Sequence, residues 1–331
     1  MLKKTKFLFT TACICICCFY VWIFVKSIST NLPTPQSPPI LYSNQCRHDL
    51  KRTILTAIEN AKHSIFLVMF GLSDKSILRA LQDKADDAFN MKVFFDSRHS
   101  PTLDLSNKQA YPLTSKGLLH QKILVIDNKY VFIGSANFTK ASLSMHDNLI
   151  IGLYSPKIAY FLRKKAPFTP AHYKAIVGGQ DISLWLLPDQ QNYALLDLKN
   201  IIHSASKSLF IVMFTFTHPV LLDEIIQAHK KGIKVTVVID YYSSMGASSH
   251  TIDKLEKEGV TVLKSKGPQL LHHKYLVVDD RILICGSANW TKAAFNKNYD
   301  CFIILYNLTN DQKKFLNKLN KIIALETSES N

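Results

Sequence analysis

LLHQKILVIDN at residues 118–128 returns, almost letter for letter, as LLHHKYLVVDD at residues 270–280. Each copy carries His, one residue, Lys, four residues, Asp. Read as a strand, period two puts His120 and Lys122 on one face, and His272 and Lys274 likewise. His273 falls out of that register and reads as a packed or hydrogen-bonded histidine with no chemical role. The turns after Asp127 and Asp279 lead into VFIGSAN (131–137) and ILICGSAN (282–289), where Ser135 and Asn137, and Ser287 and Asn289, again share a face. In both copies the His-to-Asn separation is 17 residues. A duplicated packing pattern accounts for Leu124, Val125, Val277 and Val278. It accounts poorly for a repeated strand Lys, because buried lysine is rare unless paired.

The repeat extends outward. KHSIFLVMF (62–70) leads to MKVFFD (91–96), and SKSLFIVMF (206–214) leads to VTVVID (235–240), at a constant offset of 144. These short β-branched and aromatic runs read as buried strands. Helical patterns precede them, with Leu50, Ile54, Ile58 and Ala61 on one face of the first and Ala194, Leu198 and Ile202 on the second. Second helices are expected over 75–88 and 219–231. Past Asp96 and Asp240 the offset becomes 152, so the second copy holds eight more residues in its loop. Ser155-Pro156 and the capping box Thr309-x-x-Gln312 start closing helices, the latter with Phe315, Leu319, Ile322 and Ile323 on one stripe. The expected fold class is α/β: two similar halves, each a mainly parallel or mixed sheet flanked by helices, with the site at their interface. The first half is assigned to 44–165 and the second to 166–331, with 166–181 as the join.

The chain of 331 residues is 47% hydrophobic and carries a formal charge of +15. Lys3, Lys4, Lys6 and Lys26 stand without an acid in residues 1–26, leaving +11 on the rest, which favours anionic partners such as phospholipid head groups or nucleic acid. FLFTTACICICCFYVWIFV (7–25) lacks any charge and is flanked by those lysines. It reads as a signal anchor giving a single N-terminal membrane span with an extracytoplasmic body, the alternative being a cleaved signal and secretion. Residues 27–43, with Pro33, Pro35, Pro38 and Pro39, read as a stiff linker. Of seven cysteines, only Cys46, Cys285 and Cys301 lie beyond that run. Their spacing fits neither a disulfide framework nor a zinc site.

The paired motifs resemble those of the phospholipase D superfamily, small bacterial type, and the Gly-Ser-x-Asn tail is typical of it. The resemblance covers most of residues 39–325, its sharp parts being 120–148 and 272–300. It implies a phosphodiesterase in which one histidine attacks phosphorus to give a phosphohistidine, while the other protonates the leaving alcohol and then activates water. His120 is assigned as nucleophile and His272 as acid. Lys122, Lys274, Ser135, Asn137, Ser287 and Asn289 would hold the non-bridging phosphate oxygens. Asp127 and Asp279 belong to the signature, with a mainly structural part. No metal or other cofactor is expected, and two motifs in one chain remove any need for a homodimer in catalysis.

One departure is expected to matter. Where the family often has glutamate eleven residues beyond the motif asparagine, this chain has Asn148 and Asp300. Asp300 can hold an imidazole N–H, whereas Asn148 supplies no charge, so the first half is expected to have the less basic histidine or to borrow an acid. His146 reads as a loop histidine. The resemblance implies hydrolysis of glycerophospholipid head groups at a membrane surface, with alcohol exchange available to the same intermediate. Phe138, Trp290, Tyr241 and Tyr242 are candidates for a lipid mouth, with core packing their default reading. The alternatives are a metal-independent endonuclease that gathers DNA on its basic surface, and a catalytically weak lipid-binding protein.

Overall fold

The computed structural model describes residues 31–86, 88–100 and 109–329. The chain divides into two units, Met1–Asn31 and Leu32–Asn331, and the second contains all the elements below. Its first sheet comprises β1 (Ile40–Tyr42), β2 (Ser64–Met69), β3 (Asn90–Asp96), β4 (Ala110–Leu113), β5 (Lys122–Ile126), β6 (Tyr130–Gly134) and β7 (Ile150–Tyr154). They run in the order β1-β7-β6-β5-β2-β3-β4. The second comprises β8 (Ala171–Val177), β9 (Gln180–Leu186), β10 (Ser208–Met213), β11 (Lys234–Ile239), β12 (Thr261–Ser265), β13 (Lys274–Val278), β14 (Ile282–Gly286), β15 (Cys301–Leu305) and β16 (Thr327–Glu329). Their order is β16-β12-β11-β10-β13-β14-β15-β9-β8.

Both sheets are mixed, one of the two arrangements the sequence left open. β2–β3–β4 and β10–β11–β12 are parallel, joined through the helices Lys75–Lys84 and Pro219–Lys230, while the remaining neighbours pair antiparallel. The repeat is visible in the register. Met69 lies opposite Lys122 in the first half, and Met213 opposite Lys274 in the second. The histidine–lysine segment therefore enters each sheet at the same place, beside the end of the first parallel strand.

Strand alternation sorts the core into three parts. Ile123, Val125, Tyr275 and Val277 face a central core shared by both halves, which takes in Ile158 and Leu162 of the helix Pro156–Lys165 and Leu316, Leu319 and Ile323 of the helix Asn310–Leu325. Leu124 and Ile126 face outward under the helices Leu50–Glu59 and Lys75–Lys84; Leu276 and Val278 do the same in the second half, under Tyr193–His203 and Pro219–Lys230. The expected caps form: Ser155 accepts from the Ile158 N–H, and the Thr309–Gln312 capping box closes in both directions. Cys46, Cys285 and Cys301 are buried free thiols.

Three expectations need correcting. Residues 166–181 are more than a join, since β8 and β9 form a hairpin about Gly178-Gly179 that extends the second sheet beyond β15. The Pro-rich segment ends in structure: Ile40–Tyr42 pairs with β7, and the Pro39 carbonyl accepts from Gln312. The single N-terminal span with an extracytoplasmic body is not supported. No helix among the described residues is long and apolar enough to cross a membrane. The longest, Asn310–Leu325, has 16 residues, or about 24 Å against the ~30 Å of a bilayer core, and carries Lys313, Lys314, Lys318 and Lys321. The run 7–25 on which that reading rested lies outside the described residues. The eight extra residues of the second half are accommodated in the connection holding the helices Tyr241–Met245 and Ser249–Lys257.

Candidate active site

The motif aspartates lie away from the histidines. Each begins the tight turn after its strand, about 16 Å beyond the lysine by strand rise. Asp127 and Asn128 have φ of 52° and 55°, and Asp279 and Asp280 have 51° and 52°, the left-handed pair that two-residue hairpins require and that Asp and Asn tolerate. The Asp127 carboxylate accepts N–H bonds from Lys62, His63 and Ser64, and Asp279 accepts from Ser206, Lys207 and Ser208. Each thus ties the hairpin to the start of β2 or β10. For Asp279 these bonds outweigh burial and draw the carboxyl down to about 2.

The other end of the same strands gathers the chemistry. His120 and His272 are each more than nine-tenths buried, as are Lys122 and Lys274. Each ammonium donates to the carbonyl of its own motif histidine, Lys122 to His120 at 2.7 Å and Lys274 to His272 at 2.8 Å. The histidines are held from the opposite half. His120 Nδ1 lies 2.7 Å from Asp300 Oδ1, and His272 Nδ1 lies 3.0 Å from Asn148 Oδ1. The His120 and Gln121 N–H groups also bond across to the Tyr299 carbonyl. This crossing reverses the expectation drawn from Asn148. The first-half histidine has the carboxylate, and the second-half histidine has the amide.

Ser135 and Ser287, which the resemblance had given to the phosphate, are wholly buried and bonded to these partners. Ser135 Oγ donates to Asn148 Oδ1 at 2.8 Å, and Ser287 Oγ donates to Asp300 Oδ1 at 2.6 Å. The strand pattern fails there because β6 and β14 end at Gly134 and Gly286, where a neighbouring backbone comes close. A Cβ on Gly286 would meet the Cys301 carbonyl oxygen at 2.3 Å, and one on Gly134 would meet that of Leu149 at 2.2 Å. Gly286→Ala is therefore expected to cost about 1–3 kcal/mol by overpacking and to displace Asp300, lowering both Tm and turnover. An unchanged Tm would contradict this reading of the glycine. Asn148 Nδ2 donates to the Ser142 and His146 carbonyls, which fixes its amide with Oδ1 toward His272. Asn137 Oδ1 accepts from the Gly71 N–H, whereas Asn289 Oδ1 has no hydrogen-bond partner among the described residues.

Phe70 and Phe214, immediately after β2 and β10, are site residues the sequence did not reveal. Phe70 lies 5.1 Å from the His120 ring and 5.3 Å from Lys122 Nζ; Phe214 lies 5.1 Å from His272 and 4.8 Å from Lys274. The signal was present in the matching Phe that ends both FLVMF and FIVMF, but a strand-end Phe reads first as core. His146 is a neighbour, its ring 6.4 Å from that of His272. His273 is buried and bonded to Gln45, in keeping with its register. Phe138 and Trp290 are core residues, while Tyr241 and Tyr242 are exposed.

Burial dominates the electrostatics. It draws Lys122 down to about 8 and Lys274 well below the lysine range, the latter further lowered by Lys122. Burial, then Lys122, holds His120 low, with Asp300 opposing. For His272, burial, Lys274, Lys122, the charge of His120 itself and His146 all act downward. Burial pushes Asp300 up, but His120, Lys122 and the Ser287 hydroxyl outweigh it and keep the carboxyl below its usual range. The two imidazoles thus act on one another, beside Lys122, Lys274 and Asp300, with the Asp240 carboxylate also reaching Lys274. Such a site is short of negative charge, and an anion between the lysines would relieve it. Because the ammonium is the binding form, affinity for inorganic phosphate is expected to be strongest below pH 8 and to fall as pH rises through that value; a flat calorimetric profile from pH 6.5 to 9 would contradict this. Among the described residues, no group of three or more His, Cys, Asp or Glu is placed to hold a metal ion.

Residues 54–166 and 198–323 match the family described as "Cardiolipin synthase, PLD-like domain". The chain belongs to this PLD-like family. It is 35% identical over 111 residues to the mitochondrial cardiolipin hydrolase of Homo sapiens, covering 34% of this chain and 44% of that protein. It is 33% identical over 102 residues to the mitochondrial cardiolipin hydrolase of Chlamydomonas reinhardtii, covering 31% of this chain and 45% of that one. The match thus spans a little under half the length of these curated relatives. The crystal structure of phosphatidylserine synthase from Haemophilus influenzae has the same PLD-like fold, with TM-score 0.69 over 91% of this chain and 90% of that one, at 15% identity.

Proposed function

We propose that this chain is a phospholipase D-type phosphodiesterase that cleaves glycerophospholipid head groups through a phosphohistidine. The observation that supports the reading is the crossed pair of hydrogen bonds, His120 to Asp300 and His272 to Asn148, by which each histidine is held by a residue of the other half. Family membership and relatives named cardiolipin hydrolase support the same chemistry.

The asymmetry of the two partners assigns the roles. With Nδ1–H held by Asp300, His120 presents its Nε2 lone pair to phosphorus. Attack forms the N–P bond and breaks the bond to the head-group oxygen, leaving positive charge on the imidazole that the buried Asp300 carboxylate stabilises. His272 gives its Nε2 proton to the departing alkoxide. Without a carboxylate its imidazolium is the stronger acid, and the bound phosphodiester supplies the negative charge that allows it to protonate. Neutral again, it takes a proton from water, which attacks phosphorus, breaks the N–P bond and releases phosphatidic acid with free His120. An alcohol in place of water gives head-group exchange. Lys122 and Lys274, with Asn137 and Asn289, stabilise the non-bridging oxygens.

The test offers the full chain, in EDTA, vesicles of phosphatidylcholine, vesicles of cardiolipin and single-stranded DNA in parallel. Phosphatidic acid release with intact DNA supports the proposal. Cleaved DNA with intact lipid would make the chain a metal-independent nuclease. Vesicle binding without turnover of any substrate would make it a lipid-binding protein.

A further inference from the structure

Building on the lipid reading above, we propose that the rim of the site is a docking surface for an anionic lipid bilayer, made by exposed apolar side chains from both halves and a set of lysines between them. Met145 adjoins His146, whose ring neighbours His272, and is 54% exposed. Phe168, 50% exposed, packs edge-on against Tyr299, whose carbonyl takes the His120 N–H. Tyr241, Tyr242 and Met245 follow Asp240 at the end of β11, and the Asp240 carboxylate accepts the Leu271 N–H one residue before His272. Met245 is 71% exposed and Tyr242 54%. Single exposed apolar residues are ordinary; here five, on two connections and one short helix, lie on segments that adjoin the pair of histidines.

Three cations lie on other segments that adjoin these or the site. Lys116 precedes Gly117, whose backbone lies against the Lys297 carbonyl, and these segments run directly into His120 and Asp300. Lys266 follows Ser265, whose hydroxyl accepts the Tyr241 N–H. All three lysines are exposed. Asp147 and Glu326 are the acids beside Met145 and Lys266. Aromatic and thioether side chains entering the head-group layer, with lysine ends reaching phosphates, suit a bilayer. A nucleic acid would gain little from Met145 or Met245.

The test uses a reporter local to the rim, so that binding through any other part of the chain does not decide it. Met245→Trp is placed in the full chain and compared with Ile176→Trp, at the far end of β8 and equally exposed. Vesicles are equimolar phosphatidylglycerol and phosphatidylcholine with brominated acyl chains. The added emission at 245 is expected to be quenched and that at 176 spared. In parallel, the triple variant F168S/Y242S/M245S should lose at least tenfold in turnover of vesicle lipid while remaining within twofold of the parent on a short-chain phosphodiester below its aggregation concentration. Equal quenching at both positions, or none at 245, overturns the docking surface even where lipid hydrolysis is seen. Quenching confined to 245 in a chain that cleaves no phosphodiester upholds the surface and removes the enzymatic reading instead.

Discussion

His120→Ala is expected to lower turnover of a phospholipid about 10⁴-fold or more, and His272→Ala about 10²–10⁴-fold, yet the two variants should fail differently. Without the His120 Nε2 lone pair no N–P bond forms, so no phosphate becomes attached to the protein with any substrate. Without His272 the alkoxide leaves unassisted and water is not activated. A diester with a good aryl leaving group needs no acid for the first step. It should therefore give His272→Ala a burst of released phenol equal to the enzyme present, with phosphate trapped on His120 and readable by intact mass. The same burst from His120→Ala would reverse the assignment, and brisk steady turnover by either variant would contradict the division of labour.

Asp300→Asn carries the second-largest effect, about 10²-fold in kcat/KM. The amide can still offer Oδ1 to His120 and Ser287, but the charge that stabilises a phosphorylated imidazole is gone, and two pKa units of lost stabilisation correspond to that factor. Its new Nδ2 would stand where Asp300 Oδ2 now lies buried without a partner among the described residues, adding an unsatisfied donor. Asn148→Asp tests the opposite partner. A carboxylate beside His272 raises its pKa. The acid must be protonated, so the alkaline limb of kcat/KM, which is lost as pH rises through that pKa, should move to higher pH by about one unit or more. The substitution also removes the donors to the Ser142 and His146 carbonyls, so a lower Tm should accompany the shift. An alkaline limb that stays put would mean that His272 is not the acid.

Much of this was legible in the chain because the fold is duplicated. The repeat singled out both histidines and both lysines, but the strands begin only at Lys122 and Lys274, so each histidine stands two residues before the strand expected to carry it, and the choice between mainly parallel and mixed sheets was left open. What escaped depends on how the halves face each other. Asn148 was attributed to its own half because a linear pattern gives no crossing, and only the shared central core, with Tyr275 and Val277 packed among the same residues as Ile123 and Val125, brings it to His272. Ser135 and Ser287 were given to the phosphate by resemblance, whereas past Gly134 and Gly286, where close backbone approach ends each strand, they bond Asn148 and Asp300. In AHYKAIV (171–177) the Pro and Gly-Gly signals nearby outweighed a period-two pattern that in fact forms β8. Phe70 and Phe214 needed the structure, since nothing in a strand-end phenylalanine distinguishes a site wall from core.

The account rests on both imidazoles addressing one phosphorus atom. The direct measurement is a crystal structure with tungstate, a phosphate mimic whose metal centre is unmistakable in density. One tungstate should bind between His120 and His272, with each Nε2 facing it from opposite sides and Lys122 and Lys274 on its oxygens. Two ions in separate cavities, or one held by a single histidine with the other turned away, would contradict it.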